Sequence, residues 1–117
     1  MLDLQQIVNK WIPILRLQDW DITVLYGNRE TTENMLGKSR ISRNLKVVSI
    51  FICSPELIDP NWLGSKDIEE TIVHELIHLH CSYFDSSFKE NTLESENLEV
   101  MIDKIAIALV KLDRKTL

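Results

Sequence analysis

Hydrophobic residues recur with a helical period at both ends of this chain and with a strand period in its middle. That double change of period limits the folds open to it. Leu4, Ile7, Val8, Trp11 and Leu15 mark an N-terminal amphipathic helix, a lid on the core whose last part is kinked or ended by Pro13. Trp20, Ile22, Val24 and Tyr26 then alternate with Asp21, Thr23 and Leu25, which predicts a half-buried strand ending at Gly27-Asn28. Residues 36–42 read as a second strand, polar and therefore suited to an edge or rim. After a turn at Ser42-Arg43-Asn44, residues 45–53 are rich in Val and Ile and apolar on both faces, as in a strand buried inside a sheet. Pro55 and Pro60 close this region.

A helix is predicted over residues 66–84, capped by Ser65 or Asp67, with Asp67 and Glu70 at capping-box spacing. A polar stretch, 85–92, leads to a last helix whose apolar stripe is Leu98, Met101, Ile102, Ile105, Leu109 and Leu112. The order αβββαα, with short connections and no internal repeat, predicts one two-layer α+β domain over residues 1–117. A chain of 117 residues that is 44% hydrophobic and 26% charged has enough apolar material for a single core.

Several functional classes drop out. The apolar runs 47–53 and 105–110 fall far short of the roughly 18 residues that a membrane span needs. The first residues lack the basic and apolar regions of a secretory signal, so the cytoplasm is the expected compartment. Cys53 and Cys81 are expected as buried free thiols. A net charge of −5 argues against nucleic acid as a partner. Lys38, Arg40, Arg43 and Lys46 do gather positive charge, which suits a charge-protected hairpin edge or, alternatively, attraction of acidic substrates.

The chemistry concentrates in His74-Glu75-Leu76-Ile77-His78, an H-E-x-x-H segment within the helix expected over 66–84. Residues four apart on a helix project from the same side, so His74 and His78 can reach one metal ion, for which zinc is the natural candidate. Glu75 is rotated by about 100° and stands beside the ion, where a carboxylate can take a proton from water. Ile68, Ile72, Leu76 and Leu79 supply a separate core-facing stripe, so the histidines are not needed for packing.

A catalytic zinc usually has three protein ligands and one open position. The only other histidine, His80, points to the opposite side of the helix and reads as a core-edge or capping residue. The third ligand therefore falls to a carboxylate of the last helix. Glu99 is preferred because it flanks the apolar stripe, Glu94 stays open, and Glu96 falls opposite the stripe. Asp103, one turn beyond Glu99, is placed to accept the second ring N–H of a ligating histidine. Cys81 shares the histidine face but reads as a small packing residue. Trp20 and Trp62 read as core or core-edge anchors.

Taken together, His74-Glu75-Leu76-Ile77-His78 and Glu99-Val100-Met101-Ile102-Asp103 resemble the two motifs of the gluzincin metallopeptidases, in which a Glu from a later helix completes the site. Residues 79–98 separate the motifs, a spacing close to that family's usual one. The αβββαα order is similar to that of the single-domain minigluzincins and related small phage and bacterial metallopeptidases. The resemblance covers about the C-terminal half of the chain. It implies a zincin-like fold, one Zn2+, His74, His78 and Glu99 as metal ligands, Glu75 as general base, and a peptide or protein as substrate. Larger gluzincins carry a further His or Tyr that stabilises the oxyanion; this chain has no spare histidine downstream, so Tyr83 or Tyr26 would have to substitute. The alternatives are a metal-binding regulatory or interaction module without appreciable hydrolysis, and a metal-free adaptor.

Overall fold

Asp3 starts the first helix, α1 (Leu4–Ile14), by accepting the Gln6 N–H at Oδ1. Leu4, Val8 and Trp11, spaced four and three apart, bury one face of it. Pro13 sits in its last turn, and the helix ends one residue later. The His80 Nε2–H then donates to the Leu15 carbonyl at 2.6 Å, so His80, 65 residues further along the chain, caps α1. The computed structural model describes residues 2–85 and 92–115, with side chains at 2–82 and 92–115.

Three strands follow, β1 (Asp21–Gly27), β2 (Gly37–Ser42) and β3 (Val47–Cys53). They form a mixed sheet in the order β1-β3-β2, with β1 parallel and β2 antiparallel to β3. Val48, Ile50 and Ile52 of β3 point into the core beside Ile22 and Val24 of β1. The opposite face of β3 differs from the two-sided burial expected for 45–53: Val47 and Phe51 are partly open, as is Leu25 of β1. The helices pack on one face of the sheet only, and the Arg40 guanidinium, 5.3 Å from the Phe51 ring, lies on the other.

A short 3-10 turn, Pro55–Leu57, precedes α2 (Ile68–Asp85). Asp67 Oδ1 accepts the Glu70 N–H at 3.1 Å, making Asp67 the N-cap. The reciprocal half of the expected capping box is not formed, because the Asp67 N–H donates to Ser65 Oγ instead. α2 buries Ile72, Val73, Leu76, Ile77 and Leu79.

The last helix, α3 (Leu93–Lys115), packs chiefly on α2 through Leu98, Ile102, Ala106 and Val110, with Leu109 at the margin. Met101, Ile105 and Leu112, expected in the core, are instead exposed. One neighbouring helix covers only one stripe of α3, and spacing alone could not say which of two adjacent apolar stripes that would be. At the N-terminal end of α2, Glu69 accepts from Trp11 Nε1 and Lys10, Lys10 pairs with Asp113, and Arg114 bridges Asp67 and Glu69. Three helices are pinned there. None of the described helices is long and apolar enough to cross a membrane.

Candidate functional site

His74 and His78 lie one turn apart on α2, with ring centroids 5.1 Å apart. α3 crosses alongside in the antiparallel sense and delivers Glu99 to both. His74 Nε2 lies 3.0 Å from Glu99 Oε2, and His78 Nε2 lies 2.8 Å from Glu99 Oε1, so two ring nitrogens converge on a single carboxylate. His74 Nδ1 contacts Asp103 Oδ1 at 3.3 Å, the contact expected of a residue that fixes an imidazole tautomer. His74, Glu75 and His78 each offer one ligand atom, all within 4.8 Å of one another. The histidines are mostly covered, whereas half of the Glu99 side chain reaches solvent.

Glu75 is buried, reaches Ser39 of β2, and keeps a carboxylate oxygen within 4.8 Å of a ligand atom of each imidazole. Burial pushes its pKa up, partly opposed by His78 and His74 and by a hydrogen bond with the Ser39 side chain, and reinforced by the Glu99 charge. Burial acts to lower the His74 pKa, but the Glu99 hydrogen bond together with the Glu75 and Glu99 charges moves it above the ordinary imidazole value. Hydrogen bonds from the two imidazoles hold Glu99 far below the usual carboxylate range.

The sheet enters the site through close packing at Gly37. A Cβ at that position would meet Thr71 Cγ2 at 2.8 Å and Glu75 Cγ at 3.4 Å. Only a residue without a side chain lets β2 approach α2 so closely. Ser39 and Ile41 lie opposite Ile50 and Val48 and share their inward face, which brings Ser39 to Glu75. The result is an open cleft of about 580 Å³ between β2, α2 and α3. His74, Glu75, His78, Glu99 and Asp103 line its floor, with Met35, Trp62 and Val100 around its mouth.

The two sheet edges are treated differently. On β1, the Gln5 side chain donates to Ile22 O and accepts from Val24 N–H, covering that edge with an amide. On β2, the Cys53 N–H donates to Leu36 O. With the two-residue alternation of an antiparallel ladder, the backbone groups of Leu36, Lys38 and Arg40 therefore face β3, and those of Gly37, Ser39 and Ile41 face the cleft side. Among the described residues, no further strand pairs with that edge.

Of the residues singled out in the sequence, His74, Glu75, His78, Glu99 and Asp103 come together. Glu94 and Glu96 lie exposed near the start of α3 and do not line the cleft. Cys53 and Cys81 are both buried, Cys81 within the core. Tyr26 donates its hydroxyl to Leu2 O, away from the cleft. The Tyr83 side chain, the 86–91 part of the polar stretch and residues 116–117 lie outside what is described. Lys38 pairs with Glu33, and Arg40 lies over Phe51. Gly37 and Ser39 are the additions, and both follow from strand parity once β2 is set against α2; Trp62, expected as a core or core-edge anchor, is half-buried and lines the cleft.

The donor set suits a small divalent cation. Both imidazole Nε2 atoms lie within 3.0 Å of the Glu99 carboxylate, the Asp103 carboxylate stands behind His74 Nδ1, and buried Glu75 offers a further oxygen within 4.8 Å of a ligand atom of each histidine. In comparisons with known proteins, no family model, no curated protein and no solved structure matches this chain.

Proposed function

We propose that this α+β chain is a zincin-like, metal-dependent peptidase of gluzincin type, acting on peptide or protein substrates. The observation that carries the reading is the meeting of His74 Nε2 and His78 Nε2 at the Glu99 carboxylate, with buried Glu75 alongside. His74, His78 and Glu99 would hold one divalent ion, zinc being the best match to this nitrogen and carboxylate set. When bound there, such an ion supplies Lewis acidity and brings the pKa of a water from about 15.7 toward about 7.

The chain's own groups supply the rest. Glu75, close to both imidazoles and steadied by Ser39, takes the proton of the attacking water and passes it to the departing amine. The outward backbone groups of Gly37, Ser39 and Ile41 can pair with an extended peptide, running its carbonyls past the floor of the cleft. The Gln5 cover on β1 leaves β2 as the edge where this can happen.

The test is cleavage of a peptide library by the zinc-loaded chain beside its Glu75→Gln variant. Hydrolysis that Glu75→Gln abolishes while zinc is retained supports the reading; activity surviving in that variant defeats it. A second reading, a metal-binding module without hydrolysis, draws on one feature: among the described residues no Tyr, Arg or further His lines the cleft to stabilise an oxyanion.

A further inference from the structure

α3 carries two apolar stripes and uses one. Leu98, Ile102, Ala106 and Val110 are buried against α2. Met101, Ile105, Ala108 and Leu112 form the second, and all four are exposed, Leu112 by 61%. Their spacing of four, three and four residues is that of a coiled-coil seam, which accepts the side chains of another helix as knobs. At 1.5 Å per residue, the stripe runs about 16 Å, three turns of helix. It lies on the flank of α3 turned away from the core, and Glu94, seven residues before Met101, closes it at one end.

Charge decides what fits there. On the side of the stripe away from α2 stand Lys104 and Lys111, at flanking positions that face a partner helix, and Lys115, one seam step past Leu112, closes the other end. None of the three has an ion-pair partner among the described residues. A second copy of the chain is a poor occupant. Two-fold antiparallel packing centred on the stripe sets Lys104 of one copy beside Lys111 of the other, where like charges repel.

We infer that the Met101–Ile105–Ala108–Leu112 face of α3 docks an amphipathic helix of another protein, apolar along one stripe and acidic along its flanks. Glu99 and Asp103 point from the other side of α3, so a helix held there leaves the cleft open. This surface is independent of whether the cleft hydrolyses anything.

The probe is a fluorescein-labelled 21-residue peptide with Leu and Ile at the two seam positions and Glu at the flanking ones, beside a twin carrying Lys at the flanks. Fluorescence anisotropy should show the Glu peptide binding the native chain at least tenfold more tightly than the Lys peptide. The double substitution Lys104→Glu, Lys111→Glu should reverse that order, and Ile105→Asp should weaken both at least tenfold. The lysine pair, lying wholly on the surface, carries the test if Ile105→Asp lowers the melting temperature. Equal binding of the two peptides, or none, overturns the inference. So does a dimer in sedimentation that Ile105→Asp dissolves, or attachment to phosphatidylserine vesicles that the Glu peptide does not compete away.

Discussion

Replacing Gly37 by Ala tests whether β2 and the active helix are fitted to one another. The added Cβ would stand 2.8 Å from Thr71 Cγ2, a separation that something must relieve, and 3.4 Å from both Glu75 Cγ and Ile52 Cδ1. Thr71 cannot turn aside freely, because its hydroxyl donates to Asp67 O at 3.0 Å in the first turn of α2. Rotating it gives up a hydrogen bond worth about 1 kcal/mol. Moving the strand instead incurs the overpacking cost of about 1–3 kcal/mol. Against either stands a gain of about 0.5–1 kcal/mol for removing a glycine from a strand. The expected net loss is about 0–2.5 kcal/mol, read as a fall of at most several degrees in Tm. Peptide cleavage should fall further than stability does, since the shift is aimed at Glu75 and misplacement by about 1 Å costs on the order of 100-fold. The assay is a thermal melt and a peptide-hydrolysis rate for Gly37→Ala, for Thr71→Ser, and for the pair. Thr71→Ser deletes the clashing methyl and keeps the hydroxyl, so the double variant should recover most of both losses, a coupling visible in the cycle. Losses that simply add, with no recovery in the double variant, refute the close approach.

The helix-pinning network predicts acid sensitivity. Although burial acts to raise them, Asp67 and Glu69 are held below their ordinary values of 3.8 and 4.5, Asp67 mainly by Arg114 and Glu69 by Trp11 and Lys10. Depressed carboxylates stabilise the fold above their unfolded pKa and lose that contribution as pH falls through the folded one. Denaturant midpoints should therefore drop as pH falls below about 5, and more shallowly in Arg114→Ala. Gln5→Ala uncovers Ile22 O and Val24 N–H on β1; a loss of about 1–2 kcal/mol and faster aggregation on heating are expected, measured by melts with light scattering. Ile102→Ala empties a fully buried site between α3 and α2 and should cost about 2–5 kcal/mol in chemical denaturation.

How far the sequence discloses this arrangement depends on how local the determinant is. The order of elements follows from a change of hydrophobic period, and the α+β frame with three helices and a three-stranded sheet agrees with it. Asp67 as cap and His74 with His78 as neighbours are set within one or two turns of helix, where geometry follows from spacing alone. Glu99 and Asp103 required knowing which face of α3 meets α2, and there periodicity misled in part. Met101 and Ile105 look as apolar as Ile102, yet one packing neighbour buries only one stripe. The half-open face of β3 escaped for the same reason, since a run of Val and Ile does not reveal how many layers cover it. Ser39 and Trp62 reach the cleft through tertiary packing between segments far apart in sequence.

The ion itself tests the central claim most directly. Zinc content by elemental analysis, with X-ray absorption at the zinc edge, should give one ion per chain bound by two imidazoles and carboxylate or water oxygens. Glu75→Gln should retain it, and His74→Ala, His78→Ala and Glu99→Ala should each lower its affinity by tenfold or more. A chain that takes up no stoichiometric zinc, or that holds it equally well without His78, contradicts the account.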